Sequence, residues 1–154
     1  MKRLRILIMV MAGLLTTASV ARGESLQATL TGYEESPPVS TVAGGEFRAL
    51  IEAGANDHFH YTLTYFGLQG TITQAHIHVA QPGVNGSIII WLCQTSTNVD
   101  PTGLSPQCPQ AGTVEGRITA ANVIAGSTAS QQLNAGDFAG AIAAMRAGAA
   151  YANV

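Results

Sequence analysis

Ala75-His76-Ile77-His78-Val79-Ala80, then Gln81-Pro82-Gly83-Val84-Asn85-Gly86-Ser87, then Ile88-Ile89-Ile90-Trp91-Leu92 reads as strand, turn, strand. The β-branched runs on either side suit a pleated, half-buried surface. Asn85-Gly86, in a connector that also holds Pro82 and Gly83, supplies the positive-φ positions a chain reversal needs. Strand side chains alternate with a period of two, so His76 and His78 leave one face while Ile77 and Val79 leave the other. Two imidazoles on one strand face form a candidate metal-ligating pair.

Upstream, His58-Phe59-His60-Tyr61-Thr62-Leu63-Thr64-Tyr65-Phe66 predicts a strand with Phe59, Tyr61, Leu63 and Tyr65 on a core face and His58, His60, Thr62 and Thr64 on the other. The short connector around Gly67-Leu68-Gln69-Gly70 suggests a hairpin with the histidine strand. A three-residue loop would pair Phe59 with Ile77 and His60 with His76, placing all four histidines on one face. A loop one residue longer would set aromatic residues opposite polar ones, so hydrophobic matching favours the first register. Histidines on facing strands are close enough to share a zinc or copper ion, and the candidate metal ligands are therefore His76, His78, His58 and His60. The alternative is four ordinary polar-face histidines.

Leu26–Leu30 alternates as a first strand and closes at Gly32, before a Glu34-Glu35-Ser36-Pro37-Pro38 loop whose prolines exclude a central strand. Phe47, Ala49 and Ile51 against Arg48 and Glu52 predict a second strand with one wet face, ending at Gly54-Ala55-Asn56-Asp57. Ser87–Cys93 is the fifth, and Thr113–Thr119 and Asn122-Val123-Ile124 are shorter ones. From Asn134 the period becomes helical: Phe138, Ile142 and Met145 share a face, Asn134 is available as N-cap, Asp137 lies near the positive dipole end, and Gly148 ends the helix. Tyr151–Val154 begins another β-like run. The sum is a mainly β, antiparallel, Greek-key-like sandwich with one short C-terminal helix.

The 154 residues suffice for one domain plus processing signals, and with 10% charged residues and no basic patch they do not suggest nucleic-acid binding. Met1-Lys2-Arg3-Leu4-Arg5 followed by apolar Ile6–Leu15 reads as a signal peptide, too short for a membrane span, with small residues for cleavage up to Gly23. Cleavage there would remove four of the seven basic residues; the three remaining arginines against nine acidic residues leave −6. The expected layout is a leader at 1–23 and a domain at 24–154, secreted or periplasmic, with no membrane span once the leader is removed. Cys93 and Cys108 are the only cysteines, and in an exported chain they are expected to form a disulfide stapling the irregular loop between them. A two-Cys metal site is the alternative, without the close Cys pair that zinc sites favour.

Catalytic signals are sparse. There is no Gly-x-Ser-x-Gly elbow, and Glu34-Glu35 in a Pro-bounded loop reads as solvated surface rather than a glycosidase pair. Asn85-Gly86-Ser87 matches a glycosylation sequon, but the turn explains it.

Glu34-Glu35-Ser36-Pro37-Pro38, Gly45, Ala75-His76-Ile77-His78, Asn85-Gly86 and the helix running into Tyr151-Ala152-Asn153-Val154 together resemble the CHRD domain family, named after chordin. The likeness spans nearly all of the exported part and implies an extracellular or periplasmic β-sandwich module, binding or structural, with an extracytoplasmic partner or ligand that the sequence does not name. In the family the Tyr-x-Asn-Val run continues into a further strand. Here Val154 is the last residue, so the resemblance implies a domain lacking its last strand and a sheet with an unpaired edge. The His-x-His strand is also similar to that of copper/zinc superoxide dismutases. That likeness carries over to His76 and His78 only, and the second reading is a copper-binding, superoxide dismutase-like redox protein using His76 and His78 together with His58 and His60.

Overall fold

In the computed structural model, residues 23–52 and 57–154 are described; the signal-peptide expectation lies outside them, as does most of the turn at Gly54-Ala55-Asn56-Asp57. Among the described residues, seven strands form two antiparallel sheets. The first carries β1 (Glu24–Thr31), β2 (Gly44–Glu52), β3 (His58–Phe66) and β6 (Gly112–Ile118) in the order β1-β2-β3-β6. The second carries β5 (Ser87–Cys93), β4 (Ala75–Val79) and β7 (Ala150–Asn153) in the order β5-β4-β7. Among the described residues there is one α-helix, α1 (Phe138–Arg146), which precedes β7.

The period-two pattern decides what each sheet buries. Phe47, Ala49 and Ile51 of β2, Phe59, Tyr61, Leu63 and Tyr65 of β3, and Val114 and Ile118 of β6 form the inner face of the first sheet. They join one core with Ala75 and Ile77 of β4 and the buried run of β5. Buried Tyr61 donates its hydroxyl hydrogen bond across this core to the Leu92 carbonyl. Burial holds the Tyr61 phenol well above its ordinary pKa, with Asp100 adding to the effect.

The expected hairpin between the third and fourth strands is not formed. Both edges of β3 are occupied, by β2 and β6, and residues 67–74 carry the chain across to the second sheet. Stacking sheet on sheet buries Phe59, Leu63 and Ile77 as well as a hairpin would, so hydrophobic matching alone could not choose between the two arrangements. Gly67, at φ 70°, begins the crossing; Ile72 fills the core along it, and its N–H donates to Gln110 Oε1 at 3.1 Å.

β5 shows no apolar alternation because it is irregular. Ala75 faces Cys93 and His76 faces Trp91, leaving Leu92 unopposed; Ile77 faces Ile90 and His78 faces Ile88, leaving Ile89 unopposed. These bulges let successive residues of β5 be buried. Cys93 and Cys108 are joined, with Cα atoms 5.0 Å apart. The loop they close is built around Asp100, which is 2% exposed and accepts from the N–H groups of Thr102, Leu104 and Ser105 and from the Thr102 hydroxyl. Burial by itself would raise the Asp100 pKa, but these donors outweigh it and hold the carboxyl below its ordinary value.

The helix is capped by Asp137, which accepts from the Gly140 N–H at 2.8 Å, and not by Asn134. Asn134 is one turn too early: its carbonyl accepts from Asp137 N–H in the preceding turn. Phe138 packs on Phe59 with ring centroids 6.1 Å apart. At the other end Gly148 (φ 68°) and Ala149 return hydrogen bonds to Met145 and Ala144, a Schellman ending that aims the chain into β7. Arg146 forms a salt bridge with Glu24 at the start of β1. No helix among the described residues is long and apolar enough to cross a membrane.

Candidate functional site

The four histidines divide between the sheets. His58 and His60 lie on the outer face of β3, with ring centroids 5.0 Å apart and His58 Nε2 3.4 Å from Glu52 Oε2. His76 and His78 alternate with core-facing Ile77 and so leave the outer face of β4, in the opposite sheet. The expectation that all four share a face fails with the hairpin on which it rested. Among the described residues no group of three or more His, Cys, Asp or Glu is placed to hold a metal ion.

The β4 pair occupies two unlike environments. His76 is 1% exposed, with its ring edge-on to Trp91 at 4.3 Å and to His78 at 5.5 Å. Its Nε2 and the Trp91 Nε1 are buried without a hydrogen-bond partner among the described residues. Burial, helped by the neighbouring His78 and opposed by Asp100, pushes the His76 pKa down to about 4. It is a neutral imidazole at pH 7.

His78 is half-buried and tied into a network. Its ring stacks flat on Tyr151 of β7, with centroids 4.9 Å apart and planes at 3°. Its Nδ1 lies 3.0 Å from the Gly86 carbonyl, and since a carbonyl only accepts, Nδ1 carries the proton. Gly86 N–H donates in turn to Tyr151 Oη at 3.0 Å. The positive φ in this connector belongs to Gly83, at 75°. Gly86 serves close approach: a Cβ there would lie 2.3 Å from the Val79 carbonyl oxygen.

This network forms one wall of a groove of about 550 Å³. The opposite wall is β1 from Ala28 to Thr31, with the Glu34-Glu35-Ser36 segment closing one end. Asn153 Nδ2 donates to Glu35 Oε1 at 2.9 Å, and Ser36 Oγ donates to the Gly83 carbonyl at 3.3 Å, so the walls are joined at the lip. Glu34 and Glu35 bring acid to the groove, and among the described residues no Lys or Arg lines it.

Sequence reasoning placed His78 at a site but missed the groove. Glu34-Glu35 reads as solvated surface because nothing local indicates that the far C-terminal strand comes alongside. Asp100 was missed too, although Asp-Pro-Thr-Gly carries the Asx-turn signal of a carboxylate two residues before a hydroxyl.

No curated protein and no solved structure gives a significant match to the chain. The model of the CHRD domain matches residues 26–154, from the third residue of β1 to the last residue of the sequence. Two sheets, the His-x-His strand at the centre of the second and a family-model match over residues 26–154 lead to one conclusion: this chain belongs to the CHRD domain family.

Proposed function

We propose that the chain is an exported CHRD-type binding module whose ligand occupies the groove between β1 and β7, after removal of residues 1–23. The observation that carries this reading is the convergence on one 550 Å³ groove of Glu34, Glu35, His78, Tyr151 and Asn153, drawn from three separate parts of the chain. Ligand sites are typically concave, with a few oriented polar groups set in apolar walls, and Ala28, Leu30 and Ala152 supply the apolar part here. The disulfide and the cationic-then-apolar N-terminal segment support export.

The copper reading lacks its ligand set, since β3 and β4 place their histidines on opposite faces. His76 and His78 alone fall short of the three protein ligands a catalytic metal centre keeps.

The test is amide chemical-shift mapping on the 24–154 chain, screened against short peptides, oligosaccharides and small carboxylates and amines. Binding shifts are expected to cluster at Glu34, Glu35, Gly86, Tyr151 and Asn153, and to vanish in Tyr151→Ala. A ligand whose shifts cluster on the outer face of the first sheet, untouched by Tyr151→Ala, would overturn the reading.

A further inference from the structure

Asn85 is the single asparagine of the sequence followed by glycine; Asp57, Val99, Val123, Ala135 and Val154 follow the others. An asparagine amide is lost where the next backbone nitrogen can reach Cγ, and a following glycine leaves that nitrogen unshielded and its backbone angles free. Gly86 cannot be exchanged for a residue that would shield it. A Cβ there would lie 2.3 Å from the Val79 carbonyl oxygen and 2.7 Å from the Ala80 Cβ. Close packing against the end of β4 therefore obliges the fold to keep its most labile dipeptide.

The same packing holds that dipeptide still. Upstream, the connector is fixed by the bond from Val84 N–H to the Gln81 carbonyl at 3.1 Å. Downstream, Ser87 opens β5 opposite Val79, is buried, and has its hydroxyl 2.8 Å from that of Ser127. Between these anchors both backbone groups of Gly86 are engaged: the N–H donates to Tyr151 Oη and the carbonyl accepts from His78 Nδ1, each at 3.0 Å. The flat stack of His78 on Tyr151 ties the two partners to each other. Asn85 itself is exposed, so water reaches its amide.

We propose that Asn85-Gly86 is a deamidation site held in check by Tyr151 and His78, and that loss of these contacts converts the connector irreversibly. In the reaction Gly86 N gives up its proton to a solvent base and bonds to Asn85 Cγ; the Cγ–Nδ2 bond breaks, and Nδ2 leaves as ammonia with a proton taken from water. Water then opens the five-membered imide. Opening at Cγ gives aspartate, and opening at the backbone carbonyl gives isoaspartate, with the main chain rerouted through Cβ and Cγ. Tyr151 Oη accepts from the N–H whose proton must leave, so that bond has to break before the nitrogen attacks. Isoaspartate lengthens by one carbon a main chain that has no slack at Gly86, and the bonds to Tyr151 and His78 then cannot both re-form. Either product adds a negative charge beside Glu34 and Glu35, whose neighbour Ser36 is bonded to the Gly83 carbonyl of the same connector.

The test incubates the 24–154 chain at pH 8.5 and 37 °C and follows each asparagine by digestion and mass spectrometry, with the free peptide Gly-Val-Asn-Gly-Ser as the unfolded reference. Asn85 should convert more slowly than the reference and faster than Asn98, Asn122 or Asn134. Tyr151→Phe keeps the ring and removes only the acceptor; it should speed conversion about fivefold, the worth of one hydrogen bond. His78→Phe, which keeps a ring on Tyr151 and removes the other bond, should also speed it. Gly116→Ala, a destabilising change in the first sheet, should leave the rate as it is, which separates local release from global unfolding. The isolated isoaspartate form should have lost the protection of its Gly86 amide against exchange. The proposal is overturned if Asn85 converts as fast in the folded chain as in the reference peptide. It is overturned equally if Tyr151→Phe and His78→Phe leave the rate unchanged, or if Gly116→Ala raises it as much as they do.

Discussion

His76 shows how much one side chain depends on the sheet around it. With its pKa pushed down from 6.5 to about 4, the folded chain leaves His76 neutral where the unfolded chain protonates it. Between those two values the unfolded state binds more protons, so stability falls as pH drops from about 6.5 and levels off below about 4. The shift corresponds to roughly 3 kcal/mol. Urea denaturation at pH 7 and pH 4.5 should show most of that loss, and His76→Phe should flatten it; an unchanged slope in the variant would assign the effect elsewhere. The same pair allows a statement about metal. Copper(II) titrated at pH 7 should bind His76 and His78 weakly and exchangeably, be lost in His78→Ala and persist in His58→Ala, because His58 lies on the other sheet. Saturable binding abolished by His58→Ala would contradict that placement.

At the scale of the element, alternation was a sound guide to strand faces and a poor one to strand partners. Phe59, Tyr61, Leu63 and Ile77 are buried as the period of two requires. Whether β3 and β4 lie side by side or face to face depends on β6, more than forty residues downstream, and no local pattern carries that information. Gly116 belongs to the same category. It sits opposite Tyr61 in the β3–β6 ladder, and a Cβ there would come within 2.5 Å of the tyrosine ring. That ring is held from behind by its bond to Leu92 and has little room to retreat. Gly116→Ala should therefore cost about 1–3 kcal/mol by overpacking, read from the urea midpoint, and Gly116→Ala/Tyr61→Phe should recover little of it because the ring remains. In the sequence the residue reads only as a glycine within a short strand.

For the whole molecule, the disulfide and the Asp100 loop stabilise one end of the sandwich, while among the described residues β1 and β7 are edge strands that border the groove. Closing a loop of this length is worth about 3 kcal/mol in the chain-entropy account. Denaturation with and without reductant should differ by about that amount, and an unchanged midpoint would mean that Asp100 holds the loop unaided. The groove itself could not be read from sequence, since it exists only where residues 28–36 meet residues 148–153 across the assembled fold. The topology also imposes an order of events. β4 is synthesised shortly before β5 but waits some seventy residues for β7, and β3 waits about fifty for β6. Contacts so distant along the chain slow folding. A chain emerging N-terminus first therefore leaves the edge of β3 open until Gly112–Ile118 is made and that of β4 open until Ala150–Asn153 is made, and these are its most aggregation-prone intervals.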